Sequence, residues 1–270
     1  MTSLSRGERF RLGAQYVLGF LFFPFLGWIL VGVMRVVMNY RIVDIKALRR
    51  QFLAIARAQT ARRPGGTRGA FLVCGNHLTM VDSALITWAL ASNWTYLRHY
   101  RWLPWNIPER SNFVHRLSLR VICYLIKSIP IERRGPFRSK RAALEKLAYV
   151  LKKGEAVSIF PEGKRSRTGR FDADNISYGV GDLLRQTPNV GVLCVYLRGR
   201  KQTVYSAVPA WGDQFDVKLD FFVPQTDGRG LRASRDLTRQ VAHRIATLEK
   251  HHFADLTASS SGPRHASLHR

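Results

Sequence analysis

The stretch Gly13–Met34, GAQYVLGFLFFPFLGWILVGVM, runs for 22 residues without a charge. About 20 apolar residues suffice to cross a bilayer as a helix, so this run needs lipid or a large apolar partner. Pro24 sits in its middle between Phe23 and Phe25, with Gly27 close behind. That pattern suits a kinked helix or a helical hairpin. Both flanks are basic, with Arg6, Arg9 and Arg11 before it and Arg35, Arg41, Lys46, Arg49 and Arg50 after it. Basic flanks prefer the cytoplasmic side, so the reading favours a monotopic segment that dips into one leaflet over a single span. The aromatics Tyr16, Phe20, Phe22 and Trp28 suit shallow burial. The run is too long for a cleaved signal peptide, and no small-residue cleavage site follows it.

Charge narrows the partners. The 270 residues carry 43 Lys and Arg against 18 Asp and Glu, a net charge of +25. Such a surface seeks nucleic acid, anionic headgroups, phosphorylated substrates or an acidic carrier protein. Hydrophobic content of 46% excludes a disordered chain. Cys74, Cys123 and Cys194 each lie in an apolar stretch without paired spacing, as expected of buried reduced thiols. The histidines His99, His115 and His243 are scattered, and no metal site is expected.

Beyond the apolar run, Arg35 to Arg57 reads as a basic amphipathic helix along a membrane surface, and 62–69 as a turn-rich connector. Strands are expected at Ala70–Cys74, Ser128–Glu132, Ala156–Phe160, Val190–Leu197, Val204–Pro209 and Phe215–Phe222. Helices are expected near Asp82–Ala91, Phe113–Lys127, Tyr178–Gln186 and Leu231–Lys250, with another capped by Ser139 and ended by Gly154. The alternation predicts an α/β fold, a mixed, largely parallel sheet covered by helices. Three divisions follow: membrane-anchoring and interfacial helices over 1–60, a catalytic domain over 61–254 and a disordered basic tail over 255–270.

Sites in such sheets lie beyond the carboxyl ends of strands. Three loops qualify. In NHLTMVD, His77 precedes Asp82 by five residues, about 140° apart were both on one helix. They meet if His77 stays in the loop and Asp82 opens the helix. The carboxylate then holds one imidazole nitrogen and frees the other as a base. The plainer alternative is that Asp82 only caps the helix. In SIPIERRG, Arg133 and Arg134 follow an apolar segment, where planar guanidinium forks suit a phosphate or simply face water. In FPEGKRSRTG, Glu162, Gly163, Lys164, Arg165 and Ser166 follow a buried strand. Gly163 allows close approach or positive φ, and the basic residues offer a second phosphate ligand.

In this order and spacing, the three loops resemble the glycerolipid acyltransferase family, of the 1-acylglycerol-3-phosphate acyltransferase type. NHLTMVD resembles its NHxxxxD block and FPEGKRSRTG its FPEG block, while SIPIERRG and VGVLCVYLRG are similar to its second and fourth. The resemblance covers about Ala70 to Gly199. It implies His77 and Asp82 as the catalytic pair, with Asn76, Arg133, Glu162, Gly163, Lys164, Arg165 and Ser166 binding substrate. It further implies transfer of a fatty acyl group from acyl-CoA or acyl carrier protein, as co-substrate, to a lysophospholipid hydroxyl, giving phosphatidic acid from 1-acylglycerol-3-phosphate. No cofactor is needed. The expected setting is the cytoplasmic face of a bacterial-type inner membrane, with membrane lipids as partners.

Three departures bear on the acceptor. Lys164 stands where threonine is common, the fourth block lacks its usual proline, and NWTYLRHYRWLPWNIPERSNF replaces a lysine-and-apolar segment with Trp94, Trp102, Trp105 and several arginines. A lyso-ornithine lipid or a specialised hydroxy-lipid stays open as acceptor. Readings of other kinds are a hydrolase using the same pair on water, a catalytically silent membrane scaffold and a membrane-anchored nucleic-acid-binding protein. The last lacks a recognisable binding motif.

Overall fold

A computed structural model describes residues 4–61, 69–112, 116–132 and 134–260. Its thirteen α-helices and β-strands, among the described residues, begin with α1 (Arg6–Gly32), β1 (Arg41–Ile42), α2 (Ile45–Thr60), β2 (Phe71–Gly75), α3 (Asp82–Leu90) and α4 (Asn93–Arg98). They continue with α5 (Leu117–Leu125), α6 (Phe137–Lys152), β3 (Val157–Ile159), α7 (Gly179–Gln186), β4 (Gly191–Gly199), β5 (Gln214–Phe222) and α8 (Gly230–Ser260). The strands form one sheet in the order β1-β5-β4-β2-β3. Every pairing is parallel except β4 with β5. The expected mixed, largely parallel α/β fold is the one observed.

All residues of β2 and β4 are buried, as suits central strands covered on both faces. Alternate residues of β2 feed two cores. Leu72 and Cys74 pack with α6, α7 and α8, while Phe71 and Val73 pack with α2, α3 and Tyr96 of α4.

α1 is one continuous helix, so the hairpin alternative is replaced. Pro24 lies inside it. Proline removes one ladder donor, and the helix continues on both sides of it. A capping box starts it, with Ser5 Oγ accepting from Glu8 N and Glu8 Oε2 accepting from Ser5 N. A π turn over Val33–Val37 prolongs it. The whole, Arg6–Val37, is long and apolar enough to cross a membrane, and only 17% of its most apolar stretch is buried against the body. Phe10, Leu21, Phe25, Ile29 and Val36 are exposed.

The inner side of α1 is held by polar and aromatic contacts. Gln15 Nε2 donates to the carbonyls of Tyr124 and Ser128, both at 2.9 Å. Tyr16, Phe20 and Phe23 meet the Tyr100 ring edge-on. Beneath them, Lys127 is fully buried and takes the left-handed backbone conformation (φ 55°). Its ammonium donates to Leu103 O at 2.8 Å, lies 3.2 Å from Glu155 Oε2, and sits about 5 Å from the rings of Tyr16, Tyr100 and Trp105. Burial pushes its pKa down to about 8 against the opposing pull of Glu155.

Several expectations are corrected. The surface helix over 35–57 is broken: Asn39 and Asp44 take positive φ, β1 intervenes and pairs with β5, and α2 buries Leu48, Phe52 and Ala56. Residues 41–60 therefore belong to the folded body, because α2 has an apolar stripe that β2 and α3 cover. The strand expected over Val204–Pro209 is a loop. Ser128 and Ile131 make only isolated bridges, to Asn106 and Glu109. α6 begins at Phe137 after Pro136, so Ser139 lies inside its first turn rather than capping it. α8 runs on to Ser260, well into the stretch expected to be a disordered tail. The connector over 62–68, the start of the Phe113–Lys127 segment and the tail from 261 lie outside the described residues.

Gly19 marks a close approach of α1 to the body. A Cβ there would come within 2.6 Å of Tyr100 Oη and 2.8 Å of the Leu125 carbonyl oxygen. Gly19→Ala is expected to destabilise the docked helix by about 1–3 kcal/mol through overpacking. Urea denaturation in detergent checks this, and Gly13→Ala, where nothing lies within 4 Å, is the control.

Candidate active site

β2 and β3 are parallel neighbours, with Cys74 opposite Ile159. Their following loops therefore leave the same edge of the sheet, and NHLTMVD lies beside FPEGKRS.

The first loop is organised by Asp82, the first residue of α3, which is 1% exposed. Its Oδ2 accepts from Leu78 N at 2.6 Å and Thr79 N at 2.7 Å, and its Oδ1 accepts from Thr79 Oγ1 at 2.5 Å. Oδ2 also lies 2.9 Å from His77 Nδ1. A carboxylate so placed requires a proton on Nδ1, which leaves Nε2 of the neutral ring as an acceptor. The only side-chain bond of the His77 ring, among the described residues, is the one through Nδ1. The ring stacks on Phe160 with centroids 4.2 Å apart and planes 13° from parallel.

The second loop clamps the first. Glu162 Oε1 accepts from His77 N at 3.0 Å, and Ser166 N donates to His77 O at 2.8 Å. Burial raises the Glu162 carboxyl to about 8, against the opposing backbone bonds from His77 and Asp172. Gly163 takes φ 61°, a conformation glycine adopts without strain, and lets the loop turn back. Ser166 Oγ donates to Arg170 O at 2.5 Å. Arg165 stacks over the Tyr205 ring at 4.9 Å, and its Nη1 is buried with no hydrogen-bond partner among the described residues. A buried, unpartnered guanidinium N–H is costly, and an anion would satisfy it.

The candidate residues thus fall into different places. His77, Asp82, Glu162, Gly163, Arg165 and Ser166 converge. Lys164 is exposed on the same loop. Asn76, expected to bind substrate, is buried, and both ends of its amide bond the Leu197 backbone, at 2.9 and 2.8 Å. It extends the pairing of β2 with β4 by one residue. Ser166 likewise serves the loop through its side chain. Arg133 lies outside the described residues.

Sequence reasoning missed Phe160, Tyr205 and Arg198. Arg198 is buried on β4, where its Nη1 donates to Gly169 O and its Nη2 to Thr203 O at 3.0 Å. It ties the loop bearing Arg165 to the loop bearing Tyr205. The signal was a single arginine in the apolar run VGVLCVYLRG.

A cleft of about 1410 Å³ adjoins this edge. Ile107, Ile131, Leu144 and Ile176 give it apolar walls, Lys140 and Lys164 contribute charge, and Leu4 and Arg9 border it. Phe160 and Glu162 line it, while the His77 ring stands behind Phe160. Among the described residues, no group of three His, Cys, Asp or Glu side chains is placed to hold a metal ion.

A family model described as Acyltransferase matches residues 57–198, just over half of the chain. The chain belongs to the glycerolipid acyltransferase family. No curated protein matches it. The matched span of this acyltransferase runs from the last turn of α2 through Arg198 and contains both loops; α1, β1, the loop before β5, β5 and α8 lie outside it.

Glu162 generates a pH test. Its carboxyl keeps a proton in the folded state up to about pH 8, whereas in the unfolded chain it releases it near 4.5. Folding therefore becomes less favourable as pH rises through that window. Glu162→Gln is expected to flatten this fall, as measured by urea denaturation at intervals across the same range. Equal slopes for the two proteins would contradict the assignment.

Proposed function

We propose that this acyltransferase moves a fatty acyl group from an acyl thioester, carried by coenzyme A or acyl carrier protein, to the hydroxyl of a lysophospholipid, with 1-acylglycerol-3-phosphate as acceptor and phosphatidic acid as product. The observation that carries the reading is the 2.9 Å contact of His77 Nδ1 with buried Asp82, which leaves Nε2 to act as a base.

In this reading Nε2 takes the proton from the acceptor hydroxyl as its oxygen attacks the thioester carbonyl carbon. Asp82 holds the tautomer and stabilises the imidazolium. The carbon–sulfur bond then breaks, and His77 returns the proton to the departing thiolate. The nucleophile belongs to the substrate, so no acyl-enzyme forms. Arg165, with its unsatisfied Nη1, and Lys164 attract the acceptor phosphate, a role the resemblance also gives to Arg133. The apolar walls of the cleft suit a fatty chain. Glu162, kept neutral by burial, retains a proton that it can donate in a hydrogen bond to substrate.

The reading includes a monotopic anchor on the cytoplasmic face of a bacterial-type inner membrane. The body meets α1 along its length: at Gln15 and Gly19, through the Trp28–Trp94 contact at 5.3 Å, and at the π turn, where Trp211 Nε1 donates to Val37 O at 2.9 Å. A perpendicular span needs about 30 Å of helix surrounded by hydrocarbon, which such contacts oppose. The outward residues of α1 and the exposed Leu117 and Val121 of α5 suit shallow insertion. The net charge of +25 favours an anionic headgroup surface and an anionic donor.

The test supplies acyl thioester and a panel of lysolipids to the purified protein and identifies products by mass. A transferred chain and lysolipid-dependent thiol release are expected; thiol release without lysolipid would instead indicate a hydrolase. His77→Ala should keep the fold and lose about 10²- to 10⁴-fold in rate, the usual share of a general base. Asp82→Asn should be similarly impaired. Full activity in His77→Ala would overturn the mechanism.

A further inference from the structure

A second cavity, of about 590 Å³, lies away from the catalytic loops. Tyr16 and Phe20 of α1 form one wall, and Arg57, Arg98, His99 and Arg101 contribute positive or protonatable groups. Its wall also includes Gly154, three residues before β3, and Arg101 O accepts from Ala156 N at 2.8 Å. The cavity therefore adjoins the amino end of β3, while Phe160 and Glu162 follow its carboxyl end.

Its chemistry is one-sided. No Asp or Glu lines it, and among the described residues Arg57, Arg98 and Arg101 form no ion pair. The nearby Glu155, two residues before β3, is engaged by Lys127 and by Trp105 Nε1 at 2.6 Å. Arg57 and Arg98 are exposed, and Arg101 Nη1 is fixed on Lys153 O at 2.5 Å. The His99 ring stacks on Trp102 at 4.0 Å with planes 13° apart. Desolvation, followed by the positive charges of Arg57 and Arg98, holds His99 below its ordinary pKa. Like charges gathered without a counter-charge repel one another, and a bound anion relieves that repulsion.

We propose that this cavity is a second anion site, separate from the catalytic cleft, that binds a phosphate group. Arg57 and Arg98 supply the charge, Arg101 and the His99–Trp102 stack form the floor, and the anchor helix forms the apolar wall. Guanidinium forks match phosphate oxygens. A lipid headgroup phosphate and a free phosphate share this chemistry. The aromatic wall from α1 suits the lipid, whose first carbons would lie against Tyr16 and Phe20. The proposal is independent of the role given to His77.

The experiment follows thermal unfolding of the full chain in a neutral detergent, with short-chain phosphatidylglycerol, phosphatidylcholine or inorganic phosphate added. Phosphatidylglycerol is expected to raise Tm saturably by about 4 °C, and phosphatidylcholine, whose headgroup has no net charge, to do so less. The comparison is made in the Arg165→Ala background, which removes the anion site proposed at the catalytic loops: there the rise should persist, Arg57→Gln/Arg98→Gln should abolish it and Arg57→Lys/Arg98→Lys should retain part of it. A saturable rise with inorganic phosphate, lost in the Gln variant, supports the site and assigns free phosphate as sufficient. If the double variant unfolds early, Arg98→Gln alone, at an exposed position, gives the same comparison. No rise in the wild type with either anion, or a rise that survives the Gln substitutions, overturns the proposal.

Discussion

The carboxylate of Asp82 is the constraint on which the site depends. It is buried at the start of α3, where the helix dipole favours a negative charge. The backbone N–H groups of Leu78 and Thr79 and the Thr79 hydroxyl converge on it, and these bonds fold the NHLTMVD loop back on itself. The same turn brings His77 Nδ1 within hydrogen-bonding distance. Shaping the loop and holding the imidazole are therefore one arrangement: the carboxylate that gathers the backbone also fixes the tautomer. The helix-cap alternative is replaced: the residue before α3 is Val81, no side chain caps the helix, and the Asp82 carboxylate bonds the loop ahead of it instead.

Three further contacts hold this arrangement against its neighbours. Asn76 lengthens the β2–β4 pairing, Glu162 and Ser166 grip the His77 backbone from the second loop, and Phe160 packs on the imidazole face. Arg198 then joins the loops of Arg165 and Tyr205 from beneath. Residues that read as substrate ligands thus divide by whether their polar groups are already engaged. Asn76 and Ser166 are used by the backbone around them, while Arg165 keeps an unsatisfied donor for an anion.

The N-terminal segment and α1 are part of the same construction rather than an appendage. Leu4 and Arg9 border the cleft, Tyr16 and Phe20 wall the second cavity, and Tyr16 covers the buried ammonium of Lys127. Lys127 lies between the carbonyl of Leu103, Glu155 and three aromatic rings, so its charge is compensated within the protein. Exposed apolar side chains on one side of α1 and polar fastening on the other explain how one helix is both strongly apolar and specifically docked.

The central strands were legible because β2, β3 and β4 are short apolar runs ended by glycine or a change of polarity, and the two principal loops because they follow such runs. The long surface helix was not legible as a broken one. Asn39 and Asp44 adopt positive φ without being glycine, and β1 is only two residues long. Val204–Pro209 carries β-branched and aromatic residues yet remains a loop, because Ala207 O, Tyr205 and Pro209 O meet Met80 N, Arg165 and the Tyr40 hydroxyl rather than a neighbouring strand. By itself the sequence determined the element types of the sheet core, the long apolar N-terminal helix and the candidate dyad, since each is written in local pattern and spacing. Only the tertiary structure decided which polar side chains remain available, because a buried amide or guanidinium is free or engaged according to the distant backbone groups that the fold brings to it.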